Sequence, residues 1–322
     1  MEAELVGRQG VRFASIPAAG LHGVSLRSLP RNVAQVARGF VASRRLLHEF
    51  HPDVLFFTGG YLAGPVALAG SAIPTVLYVP DIEPGLALKT LARFADRICV
   101  TSARTQQYLR QSVAVTGYPV RAELSQWTKQ RGRLALGLEE DLPVLLVAGG
   151  SKGARSINEA LVADLPALLE VTQVVHLTGR GESETVAAAT AYLTPQQQRR
   201  YHRHAFLHED MGAALAAADF AVMRAGASVL GELPLFGLPG ILVPYPHAWR
   251  YQWINARYLA EHNAAVVIED AALRGELLST VQSLLREPAK RAAMHQAMRS
   301  LAHPEAANVL AGQLLELGGH RA

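Results

Sequence analysis

Short apolar runs alternate with amphipathic stretches along most of the chain. Val54–Thr58, Thr75–Val79 and Arg97–Val100 have strand length and are bounded by glycine, proline or polar residues. Such runs suit strands buried on both faces of a parallel sheet. Arg31–Phe50 and Leu86–Phe94 carry helical spacing between them, and a short strand is expected near Val113–Val115. The rhythm resumes at Val144–Val147, which enters a glycine turn and a helix, Ala154–Leu169. Strands Gln173–Leu177, Phe220–Met223, Gly240–Val243 and Ala264–Ile268 then alternate with helices Met211–Ala217, Ser228–Phe236 and Tyr251–His262. Strand–helix alternation predicts an α/β protein with parallel sheets covered by helices. The polar stretch Glu123–Pro143 separates two such halves. The expected division is residues 1–122, a linker over 123–142, a second domain over 143–300 and a C-terminal helix over 301–322.

Composition sharpens this picture. Half of the 322 residues are hydrophobic and 18% are charged, which favours a packed core over disorder. The net charge of +4 suits an anionic membrane surface or a phosphorylated ligand. No basic run with interleaved aromatics marks a nucleic-acid surface. Cys99 is the single cysteine and lies in the strand-like RICV, where it reads as a small buried hydrophobe. No Cys/His spacing fits zinc, and His202–His204 reads as a solvated loop. Met1 is followed by acidic residues, so no signal peptide is expected. Val54–Pro80 carries no charge, yet Gly59, Gly60, Gly64, Gly70, Pro65, Pro74 and Pro80 argue against a membrane helix there.

Ligands of open α/β sheets bind beyond the carboxyl ends of the strands, so the turns that follow strands carry the candidate chemistry. In VLLVAGGSKGARSINEAL (Val144–Leu161), Gly149, Gly150 and Gly153 permit a sharp turn and a close ligand approach. The helix that follows offers unpaired N–H groups and a positive dipole end to phosphate oxygens, and Ser151 and Lys152 add a hydroxyl and a charge. The same turn fits G-x-S-x-G, the nucleophile elbow of a hydrolase, with Asp210 or Asp219 and then His247 in chain order. That fold has one sheet, whereas here a separate sheet precedes the turn. In Met223–Leu259, Ser228 is placed to cap a helix carrying Glu232, a carboxylate that needs donor partners in an apolar setting.

Taken together, these stretches resemble the MurG family of bacterial glycosyltransferases. The resemblance rests on TGGYLAGP (Thr58–Pro65), TGYPVR (Thr116–Arg121), AGGSKGARSIN (Ala148–Asn158), FLHEDM (Phe206–Met211) and the block Arg224–Ala256, all in order. It implies the GT-B fold, two Rossmann-like doubly wound parallel-sheet domains facing a cleft, with the tail helix crossing back. It also implies transfer of N-acetylglucosamine from UDP-N-acetylglucosamine to a lipid-linked muramyl-peptide acceptor at the cytoplasmic face of the membrane. The donor side would comprise Arg121, Gly150, Ser151, Gly153, His208, Ser228, Val229, Glu232 and Gln252. Glu232 would meet the ribose, the Ser228–Val229 helix start the diphosphate, and Gln252 the sugar. Gly59, Gly60, Tyr61 and Gly64 would lie on the acceptor side. No Asp-x-Asp occurs, which fits a reaction without metal or other cofactor. Helix Arg31–Phe50, with Val33, Val36, Phe40 and Leu47 on one face, and GLALKTLARF, with Lys89 and Arg93, read either as core-facing stripes or as an interfacial patch.

The chain departs from the family pattern in three places. Tyr78-Val79-Pro80-Asp81 stands where the family has His-Glu-Gln-Asn, and Tyr251 replaces the first of two paired glutamines. The family's opening strand, Gly-Gly-Thr-Gly-Gly-His loop and following unit find no counterpart; a β-α-β step of roughly 30–40 residues is expected to be missing. The family's usual base is absent with it, leaving Asp81 as substitute candidate. The alternatives are a nucleotide-sugar-binding form without catalysis and a related transferase with another lipid acceptor.

Overall fold

In a computed structural model the chain forms two compact units, one of residues 1–79, 84–115 and 310–322, the other of 80–83 and 116–309. The structure describes residues 6–7, 10–17, 29–60, 62–150, 152–208, 210–248 and 250–319. Most of the opening decapeptide, Tyr61 and Ser151 lie outside the described residues.

The first unit contains α1 (Leu29–Phe50), β1 (Leu55–Phe57), α2 (Ala63–Ala69), β2 (Thr75–Val79), α3 (Leu86–Leu91), β3 (Arg97–Val100) and β4 (Ala114–Val115). Its four strands are all parallel and lie in sequence order. One face packs Leu55, Phe57, Leu77, Val79, Ile98 and Val100 under α2 and α3. The other packs Val76, Tyr78 and Cys99 against Leu310, Leu314 and Leu317 of the tail helix. Alternate residues of β2 thus serve two cores, which is why Val76 to Val79 shows no alternation with charged residues. Burial pushes the Cys99 thiol up to about 11, in keeping with an inert, structural cysteine. The uncharged Val54–Pro80 stretch resolves into β1, α2 and β2. No helix among the described residues is long and apolar enough to cross a membrane.

The second unit begins with α4 (Lys129–Ala135), β5 (Val144–Ala148), α5 (Arg155–Leu169) and β6 (Gln173–Leu177). It continues through α6 (Ser183–Ala189), α7 (Pro195–Arg200), β7 (Tyr201–His204), α8 (Met211–Ala217), β8 (Phe220–Met223) and α9 (Val229–Phe236). Next come β9 (Gly240–Leu242), α10 (Tyr251–Glu261), β10 (Ala265–Val267), α11 (Leu273–Arg286) and α12 (Pro288–Arg299); α13 (Ala306–Gly319) is the tail helix. The all-parallel sheet runs β10-β9-β8-β5-β6-β7. From β5 the chain winds outward first through β6 and β7, then back across to β8, β9 and β10. The β5/β8 junction is therefore the topological switch point, where a crevice opens.

Two expectations are corrected here. Residues 123–142 are not a free linker. Gly132 of α4 lies so close to the Ala213 carbonyl that no Cβ would fit, and Arg133 and Lys129 both pair with Asp219. The Gln173 amide donates to the Glu139 and Leu142 carbonyls, at 2.8 and 3.1 Å. Gly132, Lys129, Arg133 and the Glu139 and Leu142 carbonyls anchor the segment to α8 and the amino end of the sheet, while most of its polar side chains face solvent. Likewise, His202–His204 form the edge strand β7 rather than a loop, and burial lowers the pKa of both His202 and His204.

A buried polar chain connects β7 through β6 to helix α5. The Asn158 Nδ2 donates to the Thr178 carbonyl at 3.0 Å, so its Oδ1 must accept from His176 Nε2, also at 3.0 Å; Nδ1 then accepts from the Tyr201 hydroxyl at 2.7 Å. Burial and the nearby Arg203 cation lower the His176 pKa to about 3. Below the ordinary histidine pKa near 6.5, the unfolded chain takes up a proton that the folded chain refuses until about pH 3. This contribution to stability is intact above pH 6.5 and is lost as pH falls through that window, at about 1.4 kcal/mol per pH unit. Urea titrations of the wild type and His176→Gln between pH 6.5 and 4.5 should show a shallower loss in the variant, by about one proton; equal slopes would remove His176 from the account.

Candidate functional site

A cavity of about 740 Å³ opens at the β5/β8 switch point, wholly within the second unit. Its wall draws on four segments at strand ends: the glycine turn after β5 with Gly149, Gly150 and Gly153, the end of β8 with Arg224 and Ser228, the loop after β9 with Tyr245 and His247, and Asp270 after β10. Glycine is required in the first. Gly150 and Gly153 have φ of +89° and +83°, and the Gly153 amide closes the turn by donating to the Gly150 carbonyl at 2.9 Å. Any Cβ on Gly153 would strike the Thr178 carbonyl, while Gly179, with φ of +85°, has no room for one against Gly153. The loop therefore sits directly on the end of β6. Helix α5 starts with no side chain capping it, leaving its first-turn amides to a ligand.

Among the described residues, Lys152, Arg155 and Arg224 outnumber the acid on the wall, Asp270. Arg155 pairs with Glu159 and Arg224 with Asp270, at 2.8 and 2.5 Å. A positive, glycine-lined cavity at a helix start holds phosphate oxygens well. Among the described residues no acid, cysteine and histidine cluster could hold a metal ion.

Of the donor-side residues expected from sequence, Gly150, Gly153, Ser228, Val229 and Gln252 all line this cavity. Gln252 Oε1 accepts the Tyr245 N–H at 2.9 Å, so its amide NH₂ is the end available to a ligand. Ser228 does not cap α9 as its position suggests. It takes a helical conformation, and its hydroxyl bonds to Glu232 instead. Burial raises the Glu232 pKa, opposed by the Arg121 cation and that hydrogen bond. Arg121 also donates to the His208 carbonyl at 3.3 Å, and the His208 ring accepts from Arg180 at 2.9 Å beside Phe206. Arg121, Glu232 and His208 thus form one linked group, in which Glu232 lies one helical turn beyond Ser228 of the cavity wall.

Asp81 belongs to the second unit rather than to the first, where its neighbours in sequence lie. Asn255, fully buried, donates to Asp81 Oδ1 at 2.8 Å and to the Ala225 carbonyl at 3.1 Å, while its own oxygen accepts the Ile82 N–H at 3.1 Å. Glu83 pairs with Arg250 at 2.6 Å. Burial raises the Asp81 pKa against the Asn255 bond. Burial also raises Tyr118, with Glu232 and Asp81 adding to the shift. Tyr118 packs on Gly231, the residue before Glu232.

Gly59 and Gly60, with φ of +122° and +86°, and Gly64 lie in the first unit, after β1 and in α2. Of the hydrolase candidates, Ser151 lies outside the described residues. Asp219 lies before β8, at the opposite end of the sheet from the loop after β5, and its carboxylate is held by Lys129 and Arg133. Asp210 is exposed. Sequence reasoning passed over Ser156, Arg224 and Asp270. The available signal was a charged residue directly after an apolar strand, which Arg224 is.

Comparison with known proteins adds to this geometry. Residues 144–310 match the glycosyltransferase family 28 C-terminal domain, and residues 1–100 the family 28 N-terminal domain. A protein of Roseiflexus sp. named UDP-N-acetylglucosamine–N-acetylmuramyl-(pentapeptide) pyrophosphoryl-undecaprenol N-acetylglucosamine transferase is 41% identical, over 97% of this chain and 80% of its own. A protein of the same name from Desulfitobacterium hafniense is 39% identical, over 96% and 86%. Among solved structures, Acinetobacter baumannii MurG matches with a TM-score of 0.74 at 24% identity, over 98% of this chain and 88% of that one. The UDP-GlcNAc 2-epimerase of Neisseria meningitidis, bound to UDP-GlcNAc, matches with a TM-score of 0.68 at 10% identity, over 98% and 88%.

Proposed function

We propose the following mechanism for a chain that belongs to glycosyltransferase family 28 and, within it, to the MurG enzymes. It is a GT-B-type transferase that moves N-acetylglucosamine from UDP-N-acetylglucosamine to the lipid-linked muramyl-peptide acceptor of peptidoglycan synthesis. The observation that carries the assignment of the donor site is the cavity at the β5/β8 switch point, with its glycine turn and cationic wall. The diphosphate lies between the Gly150–Gly153 turn and the Ser228–Val229 start of α9; a role for Ser151, outside the described residues, rests on the family resemblance alone. Gln252 meets the sugar, Glu232 accepts from the ribose hydroxyls, and Arg121 and His208 flank Glu232.

The acceptor hydroxyl attacks the anomeric carbon and inverts it. The bond from that carbon to the phosphate oxygen breaks, and its electron pair stays on departing UDP, where helix starts and Lys152 stabilise the charge. The hydroxyl proton passes to Asp81, a carboxylate with a raised pKa that Asn255 holds by one oxygen. Gly59, Gly60, Tyr61 and Gly64 serve the acceptor. No metal takes part in this scheme. Transfer of labelled N-acetylglucosamine to a lipid-linked acceptor should therefore proceed unchanged in EDTA. Asp81→Asn should lower kcat about 100-fold while leaving UDP affinity intact. Metal dependence, or an Asp81→Asn enzyme of normal kcat, would reject the corresponding part.

The acceptor is lipid-linked, so the enzyme works at the cytoplasmic membrane surface as a peripheral protein; nucleic acid has no part in the reaction. In the first unit Phe94 is 76% exposed and Leu86 47%, beside the exposed Arg93, which favours the GLALKTLARF segment as the interfacial patch. Helix α1 contributes exposed Val33 and Val41, while Phe40 is half-buried. Phe94→Asp should weaken binding to anionic liposomes about tenfold without lowering UDP affinity; unchanged liposome binding would remove this segment from the membrane surface.

A further inference from the structure

Arg224 is a charged group on the cavity wall that has no part in that scheme. Arg224 follows β8 directly and its side chain is 11% exposed. Its Nη1 donates to Asp270 Oδ1 at 2.5 Å and to the carbonyls of Val243 and Pro244 at 3.2 and 3.5 Å. Its Nη2 donates to the Ser156 hydroxyl at 2.8 Å, and that hydroxyl donates in turn to Asp270 at 2.7 Å. The guanidinium carbon lies 5.2 Å from the centre of the Tyr245 ring. One planar fork therefore joins the first turn of α5, the end of β9, the turn after β10 and its own strand end, and these segments frame the cavity.

The electrostatics exclude the simplest role. Asp270 cancels the Arg224 charge at contact distance, so Arg224 is not a free cation for a diphosphate; Lys152 is. A buried ion pair of this kind contributes little net stability compared with an apolar pair of similar volume. Its distinctive property is geometric, because five donors in a rigid plane fix several acceptors at once, which an ammonium cannot do.

We propose that Arg224 is a positioning residue of the donor cavity, oriented by Asp270, that holds the glycine-turn helix, the Tyr245 loop and the Asp270 turn at the spacing the nucleotide requires. This rests on the donor-site reading, and the test separates the two. Calorimetry with UDP alone is performed on the wild type, Arg224→Lys, Ser156→Ala and the double variant Arg224→Met/Asp270→Leu. Failure of the wild type to bind millimolar UDP would overturn the donor-site reading and this proposal with it. With wild-type binding in place, Arg224→Lys should weaken UDP about tenfold although it keeps the charge. Ser156→Ala, which severs only the arm to α5, should weaken it about threefold. The double variant removes both charges and should melt within about 2 °C of wild type, yet still bind UDP about tenfold more weakly. UDP affinity within twofold of wild type in Arg224→Lys and Ser156→Ala, or in a folded double variant, would overturn the positioning role.

Discussion

Glu232→Ala should reduce UDP affinity about 100-fold, roughly 3 kcal/mol, with little loss of stability. The carboxylate sits in the first turn of α9, bonded to Ser228 and close to the Arg121 cation, while burial raises its pKa. A half-buried acceptor of this kind is desolvated before the ligand arrives, so hydroxyl donors restore bonds that water can no longer supply. The measurement that isolates this role is a comparison of UDP with its 2′,3′-dideoxy analogue. The wild type should discriminate strongly between them and Glu232→Ala should not. A variant that loses affinity for both ligands in equal measure would place Glu232 elsewhere. The raised pKa also gives the pH dependence a sign: the ionised acceptor is lost at a higher pH than in an ordinary glutamate, so UDP affinity should decline early on acidification.

Gly153→Ala should damage the glycine turn far more than Gly150→Ala does. At φ of +83° an L-residue is strained, and the new Cβ would meet the Thr178 carbonyl and lie 3.2 Å from Gly179 Cα. Both obstacles are backbone, so no side chain can swing aside. A cost of about 3 kcal/mol is expected, equivalent to a fall in Tm of roughly 6–12 °C, with UDP binding lost as the turn shifts. Gly150→Ala is the control. Its φ is +89° but nothing lies within 4 Å of the added Cβ, so only the conformational strain of about 1 kcal/mol applies. Thermal melts of the two variants should differ by at least 4 °C; equal values would mean that the contact with the end of β6 does not hold the turn.

The contrast between these glycines shows where the sequence stops being legible. AGGSKG announces a turn that needs positive φ, and a turn between an apolar strand and a helix announces a phosphate-sized opening. Which glycine is held by a neighbouring strand depends on Thr178, which lies 25 residues further on and reaches Gly153 only because β6 pairs with β5. Ser228 is similar: its residue type and place suggest a cap, yet the backbone turns helical one residue early and frees the hydroxyl for Glu232. Residues 123–142 misled through composition alone. Most of their polar side chains do face water, but Lys129 and Arg133 pair with Asp219, and the Glu139 and Leu142 carbonyls accept from Gln173.

Local patterning by itself determined the alternation of strand and helix, the burial of both faces of the sheets and the position of the glycine turn. Each depends on neighbours within a few residues or on periodicity along one element. Tertiary structure alone decided the strand order that makes β5/β8 the switch point. It also decided the placement of Asp81 beside Asn255, 174 residues away, and the closure of Ser156, Arg224 and Asp270 around one guanidinium. Those arrangements join groups that no sequence period links, because the sheet brings the carboxyl ends of strands distant in the chain to one edge.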